Sequence, residues 1–223
     1  VGPIIVAFLN AGQILILNIL YKRVAQKITD FENHRTDTAY QNALIIKLFL
    51  FQFVNSFSSF FVLAFAETIT NGAFSCNWGT SERSCYGLLQ IQLGIIFVVQ
   101  VFVQNFFELS IPTIKGAIRG CFETAGARNS IMNATISGPE LEFYKERYHP
   151  TLGLLEDYSE LAIQFGFVTL FVSALPLAPL LAVIANIMEL RIDSYKILCA
   201  LQRPTPQGAS SIGLWHGIFR TIA

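Results

Sequence analysis

Charge is scarce in this sequence. Asp, Glu, Lys and Arg together make up 13% of its residues, about half the share of roughly 25% usual in a soluble domain. That shortage excludes an ordinary water-solvated surface over most of the chain. The 15 acids and 15 bases balance, so no bulk field draws in nucleic acid or acidic partners. Histidine is also sparse: His34, His149 and His216 all fall in loops or near the end, which argues against zinc and di-iron centres. No nucleophile constellation is present, so an intramembrane metalloenzyme is excluded and no bond chemistry is expected. No internal repeat is evident. Val1-Gly2-Pro3 is not a start methionine with a basic leader, and the sequence reads as an internal piece of a longer protein.

What is present is apolar length. Hydrophobic residues make up 53% of the chain, with 20 Phe and a mean hydropathy of +0.51. A helix needs about 20 apolar residues to cross a bilayer, and five stretches qualify: 3–21, 43–66, 88–114, 158–175 and 177–198. The expected fold class is therefore all-α, a polytopic helical membrane protein. Pro112 is placed to kink or end the third helix. Pro176 and Pro179 punctuate the short turn that makes the fourth and fifth an antiparallel hairpin. Residues 116–150, rich in Gly, Ser, Asn and charge, read as a linker with one short helix, PELEFYKERY.

Loop charge orients the spans. Lys22, Arg23, Lys27, Arg35 and Lys47 follow the first helix; Lys115, Arg119, Arg128, Lys145 and Arg147 follow the third; Lys196 and Arg203 follow the fifth. The intervening loops hold only Arg83. The basic side is cytoplasmic by the positive-inside rule, which makes 116–150 a cytoplasmic linker. Cys76 and Cys85 then lie outside, where a disulfide is permitted; the alternative is two free thiols. Cys121 and Cys199 lie inside and are expected free. Asn133-Ala134-Thr135 matches a glycosylation acceptor but falls inside, so the match reads as chance.

Against this apolar background five acids stand out. Asp157 and Glu160 are i and i+3 at the start of the fourth span, Glu189 and Asp193 are i and i+4 near the end of the fifth, and Glu108 lies four residues after Gln104 near the end of the third. Such spacings put each pair on one helix face, and the topology brings all three sets to the cytoplasmic part of the membrane. Acids at membrane depth mark functional sites. Asp157 alone fits a helix-start cap, but Glu108, Glu189 and Asp193 sit toward C-terminal ends, where the helix dipole disfavours them. No Lys or Arg is spaced to neutralise the group; Arg191 lies about 200° round the helix from Glu189. Oxygen donors suit a hard cation, and calcium takes 6–8 of them. Ten carboxylate oxygens plus the Gln104 amide match two calcium ions that share ligands.

Polar residues also form stripes: Asn10, Gln13 and Asn18 on the first helix; Gln52, Ser56 and Ser59 on the second; Gln100 and Gln104 on the third. Such faces glue helices together or line a water-filled path. Both readings stay open, and three neighbouring helices with such faces favour a membrane-facing groove.

The segments DYSELAIQFGFVTLFVSALPLAPLLAVIANIMELRIDSYK at 157–196, FQFVNSFSSFFVLAF at 51–65, QNFFELSIP at 104–112, and 202–215 resemble the anoctamins, calcium-activated chloride channels and phospholipid scramblases. The resemblance covers nearly the whole chain. It implies that the five helices are the fourth to eighth of a ten-helix subunit, which dimerises through a later helix absent here. It carries the calcium ligands onto Glu108, Asp157, Glu160, Glu189 and Asp193, with Gln104 where Asn is common. Ala185 stands where several members have an Asn ligand, beside Asn186, the family's second Asn. Val98 stands where some channel members have a hinge glycine, and Asp157 resembles the scramblase branch.

The resemblance implies a calcium-activated phospholipid scramblase, with calcium, membrane phospholipids and small ions as partners. Its switch is expected in the acids themselves, because like charges about 4 Å apart repel by about 4 kcal/mol at an effective dielectric near 20. Calcium would relieve that repulsion and draw the third helix inward. A calcium-activated chloride channel is the first alternative; it needs a basic pore, and Lys47 is the one cation placed near it. A non-transporting tether of the same fold is the second. The host membrane, plasma membrane or an endomembrane, is left open.

Overall fold

The computed structural model describes residues 2–69, 85–99, 103, 105–128, 142–143, 145–206, 208–209 and 211–223. Its main helices are α1 (Gly2–Phe31), α2 (Asp37–Ile69), α3 (Cys85–Val98), α4 (Asn105–Arg128), α5 (Pro150–Phe171), α6 (Ala178–Tyr195) and α7 (Leu214–Ile222). Two two-residue strands, β1 (Glu146–Arg147) and β2 (Leu201–Gln202), pair in parallel. The chain divides into two compact units. The first holds Val1–Val98, Leu155–Ala182 and Ser211–Ala223; the second holds Val99–Leu154 and Val183–Ser210.

Two helices, Ile4–Phe31 and Asp37–Phe65, are long and apolar enough to cross a membrane, and Tyr86–Val98 is a shorter apolar helix. The first two outrun the expected spans. α1 continues past Tyr21 to Phe31, so Lys22, Arg23 and Lys27 sit on helix rather than in a loop. Nothing in 22–31 breaks a helix: the stretch has no Gly or Pro and alternates long polar and apolar side chains. It stops at Asn33, whose φ of 46° is a left-handed conformation that Asn tolerates as a helix terminator. α2 then starts at a Thr36 cap, whose Oγ1 accepts from the Ala39 amide at 3.2 Å, with Asp37 in the first turn where the helix dipole favours an acid.

The third expected span, 88–114, is not one described α-helix. α3 ends at Val98, and Val99 and Val103 carry π-helical geometry. Wide turns of this kind occur mostly as single insertions, frequently at functional sites. α4 then runs from Asn105 through Pro112 to Arg128, so Pro112 does not end it and 116–128 is helical rather than linker. The remainder of the expected 116–150 linker contributes residues 142–143, in helical conformation, and β1.

In the first unit α1, α2 and α3 pack on one another, and α5 joins them through aromatic rings. Phe57 meets Phe167 with centroids 4.5 Å apart, and Phe60 meets Phe167 at 5.2 Å and Phe171 at 5.5 Å. Interlocked rings supply dispersion contacts, which matter most where lipid removes the hydrophobic drive between helices. Gly166 makes the approach feasible, since a Cβ there would lie 2.7 Å from Phe57 Cζ. α7 completes the unit: Trp215 is buried, stacks on Tyr158 at 5.7 Å and meets Phe49 edge-on at 6.2 Å. The turn after α5 is held by α3, where Tyr86 Oη donates to the Ser173 carbonyl at 2.7 Å and Gln90 Nε2 to the Ala174 carbonyl at 2.8 Å. These bonds satisfy carbonyls that a helix end leaves over.

In the second unit α4 packs on the π-helical turn Lys196–Ala200 and on β1. Lys115 on α4 pairs with Glu146 at 3.0 Å. Gln202 Nε2 donates to the carbonyls of Phe143 (2.9 Å) and Lys145 (3.0 Å).

Two predictions follow from the first unit. Gly166→Ala drives a methyl into the Phe57 ring and should lower stability by about 1–3 kcal/mol, as overpacking does; thermal unfolding in detergent reads it, and an unchanged melting point would mean the ring yields freely. At the α1–α2 turn, a hydrogen bond from Lys47 holds the Glu32 carboxyl below the usual carboxylate range, with His34 helping and burial opposing. A depressed carboxylate contributes stability that is fully present above its unfolded pKa and is lost as pH falls through the lower folded value. Acidification below about pH 4 should therefore weaken this turn, and Lys47→Met should shift the Glu32 titration, followed by NMR, back toward the ordinary range.

Candidate functional site

The acids are carried by helices whose other faces are committed to packing. On α5, Tyr158 turns to Trp215, and Ser159 and Gln164 are buried. Asp157 and Glu160 are left half-buried, one turn apart. Glu156, immediately before them, forms an ion pair with Lys22 of α1. These contacts belong to the first unit.

In the second unit, α6 carries Glu189 and Asp193, both half-buried. The expectation that no base is spaced to neutralise the acids is corrected here. Lys196 lies 2.7 Å from Asp193 Oδ1, an i, i+3 pair, and it is buried at 7% exposure. By the pattern of loop charge alone, Lys196 reads as a cytoplasmic charge flanking the fifth span. The structure instead places it at the start of the π-helical turn that continues α6, where a buried ammonium needs a counter-charge. The contact balances charge without the alignment of a hydrogen bond: Asp193 Oδ1 is buried and has no hydrogen-bond partner. Arg191 is exposed.

Glu108 sits in α4 near its start; its side chain, and Gln104 and Gln100, lie outside the described residues. Cys76 and the Cys85 side chain do too, so the expected disulfide falls outside them. Cys199 is a free, exposed thiol. Among the described residues, no three His, Cys, Asp or Glu gather tightly enough to hold a metal ion. The donor set fits calcium in kind, being hard carboxylate oxygens, and Asp193 Oδ1 is a buried oxygen with a lone pair no hydrogen bond uses.

The polar stripes prove to be partly structural. Asn10 Nδ2 donates to Ser59 Oγ at 3.0 Å. Asn55 Nδ2 reaches both Asn18 Oδ1 at 2.9 Å and the Ile14 carbonyl at 3.1 Å. These bonds clip α1 to α2, the glue role of amides in membrane helices. Asn55 was missed in the sequence, although it lies three residues after Gln52 and so on a neighbouring part of the same face. Ser56 is buried, Gln13 is exposed, and Gln52 is half-buried with its Oε1 lacking a hydrogen bond. Ala185, where an Asn ligand was expected to be missing, is buried, and Asn186 is exposed. Lys47, the one cation set near a pore, is engaged by Glu32 at 2.5 Å and Thr29 Oγ1 at 3.4 Å. Replacing Asn55 by Leu removes two inter-helix bonds. Interhelical bonds in membranes average about 0.6 kcal/mol each, so a loss of about 1 kcal/mol is expected, read as a lower unfolding midpoint in detergent.

Comparison with known proteins places these features. A family model described as "Anoctamin: Calcium-activated chloride channel" matches residues 1–223. Anoctamin-4 of Homo sapiens is 38% identical over 226 aligned residues, which cover 96% of this chain and 23% of that protein. Anoctamin-3 of Homo sapiens is 36% identical, covering 94% and 22%, and anoctamin-7 of Rattus norvegicus 35%, covering 94% and 25%. The chain thus spans about a quarter of the length of the curated relatives it matches.

Proposed function

The chain belongs to the anoctamin family, and from that membership we propose that it is the calcium-sensing and groove-forming part of a calcium-activated phospholipid scramblase. The observation that carries this reading is the pairing of acids at i, i+3 and i, i+4 on otherwise apolar helices, with Asp193 Oδ1 buried and not hydrogen-bonded. Glu108, Asp157, Glu160, Glu189 and Asp193, with Gln104, are the proposed calcium ligands, for two ions per subunit. Bound calcium supplies positive charge and accepts carboxylate oxygens as ligands. The carboxylates themselves do the switching: unliganded they repel one another, and that repulsion opposes close packing of the helices that carry them.

The polar residues of α1 and α2 are proposed to face a path for lipid headgroups while acyl tails stay in the bilayer. Asn10, Gln13, Gln52, Ser56, Ser59 and Gln100 are its candidates, Asn10 and Ser59 doubling as helix clips. Nonselective ion conduction along the same path fits this role. The protein moves molecules and catalyses no bond chemistry. A homodimer formed through regions beyond this chain completes the proposal.

The second reading, a calcium-activated chloride channel, is favoured by the name of the family model. Against it, Lys47, the cation expected near a pore, is held by Glu32 and Thr29. A non-transporting tether with the same fold is the third; retention of the acids speaks against it.

Lipid transfer and chloride flux should be measured side by side in vesicles carrying the intact protein, with and without calcium. Calcium-dependent lipid transfer is expected; chloride flux without it would support the channel, and neither activity the tether. Glu189→Gln should shift the calcium dose-response to much higher concentration, by about tenfold or more for a lost charge-assisted ligand, and an unmoved dose-response would count against the ligand set.

A further inference from the structure

Lys196 has no role in the proposed calcium switch, yet its charged side chain is buried. It is 7% exposed, and its ammonium lies 2.7 Å from Asp193 Oδ1. It opens the π-helical turn Lys196–Ala200 at the end of α6, a widened turn against which α4 packs. The contact has an unusual character: the charges are adjacent, but the oxygen receives no aligned hydrogen bond. A lysine is a point charge on a flexible stem with three rotatable donors, so it can neutralise a carboxylate and still be displaced.

We propose that Lys196 is a tethered counter-ion that holds Asp193 when calcium is absent and competes with calcium for it. The inference rests on the calcium reading of Glu189 and Asp193 and adds a device that sets the threshold of the switch. Asp193 is half-buried with its Oδ1 fully buried, and a charged oxygen out of water is costly unless it is compensated. Without the lysine, emptying the site would leave Asp193 charged and unpaired in an apolar helix end. With it, the empty state has its own pairing, and binding a divalent ion means giving that pairing up. Affinity is lowered by the strength of the pair, and the calcium-free protein is stabilised by the same amount.

The two effects have opposite signs, which separates this role from plain structural support. Calcium binding to the intact protein in detergent is measured by isothermal titration, and unfolding midpoints are taken with and without calcium, for wild type, Lys196→Met, Lys196→Gln, Lys196→Arg and Arg191→Met. The expected result is roughly tenfold tighter calcium binding in Lys196→Met, which corresponds to 1.4 kcal/mol, with a lower calcium-free midpoint and a larger rise on adding calcium. Lys196→Gln should behave alike and serves if the Met variant does not fold. Lys196→Arg should stay near wild type, and the exposed Arg191→Met should change affinity far less. Unchanged or weaker calcium binding in both neutral Lys196 variants overturns the proposal, as does an equal gain from Arg191→Met, which would mean that overall charge alone is at work. Wild type that binds no calcium overturns the calcium reading itself, a result distinct from wild type that binds while the lysine variants leave affinity unmoved.

Discussion

A carboxylate oxygen taken out of water in an apolar helix bundle must find a positive charge or a set of donors, and that requirement shapes the end of α6, where the buried Oδ1 of Asp193 faces Lys196. In the first unit Glu156 pairs with Lys22 of α1, but its side chain is 52% exposed, so that pair is a surface contact. The partners are not equivalent. Lys22 joins two helices far apart in sequence, whereas Lys196 reaches back one turn and leaves the Asp193 oxygen without an aligned hydrogen bond.

The same scarcity of polar partners explains how the apolar helices recognise one another. Lipid offers no hydrophobic drive for association, so packing and a few hydrogen bonds must do the sorting. In the first unit the Phe57, Phe60, Phe167 and Phe171 rings interlock across a glycine. The Asn55 and Asn10 amides clip α1 to α2, and α3 covers the carbonyls beyond α5. A polar stripe therefore supports the fold, while one of its atoms, Gln52 Oε1, is buried without a hydrogen bond.

Residues 88–114 read as one apolar run, yet α3 ends at Val98, and Val99 and Val103 take π-helical geometry. A π-helical turn needs no glycine or proline to mark it, so this departure from a regular α-helix was not legible in the residues.

Local periodicity was readable from the residues alone. Apolar runs located the helices, and spacings of three and four put Asp157 with Glu160 and Glu189 with Asp193, because helical geometry depends on the chain's own repeat. Helix ends were less legible: α1 runs on through Lys22 and Lys27 because charged residues with long stems are good helix formers, so a drop in hydropathy did not mark its end. The partners of the charges divide in two. Lys196 is three residues after Asp193, a spacing the sequence shows once the helical geometry is known to continue past Tyr195. Lys22 and Glu156 are 134 positions apart, and their meeting depends on side chains brought together in space, which is decided by tertiary packing rather than by spacing along the chain.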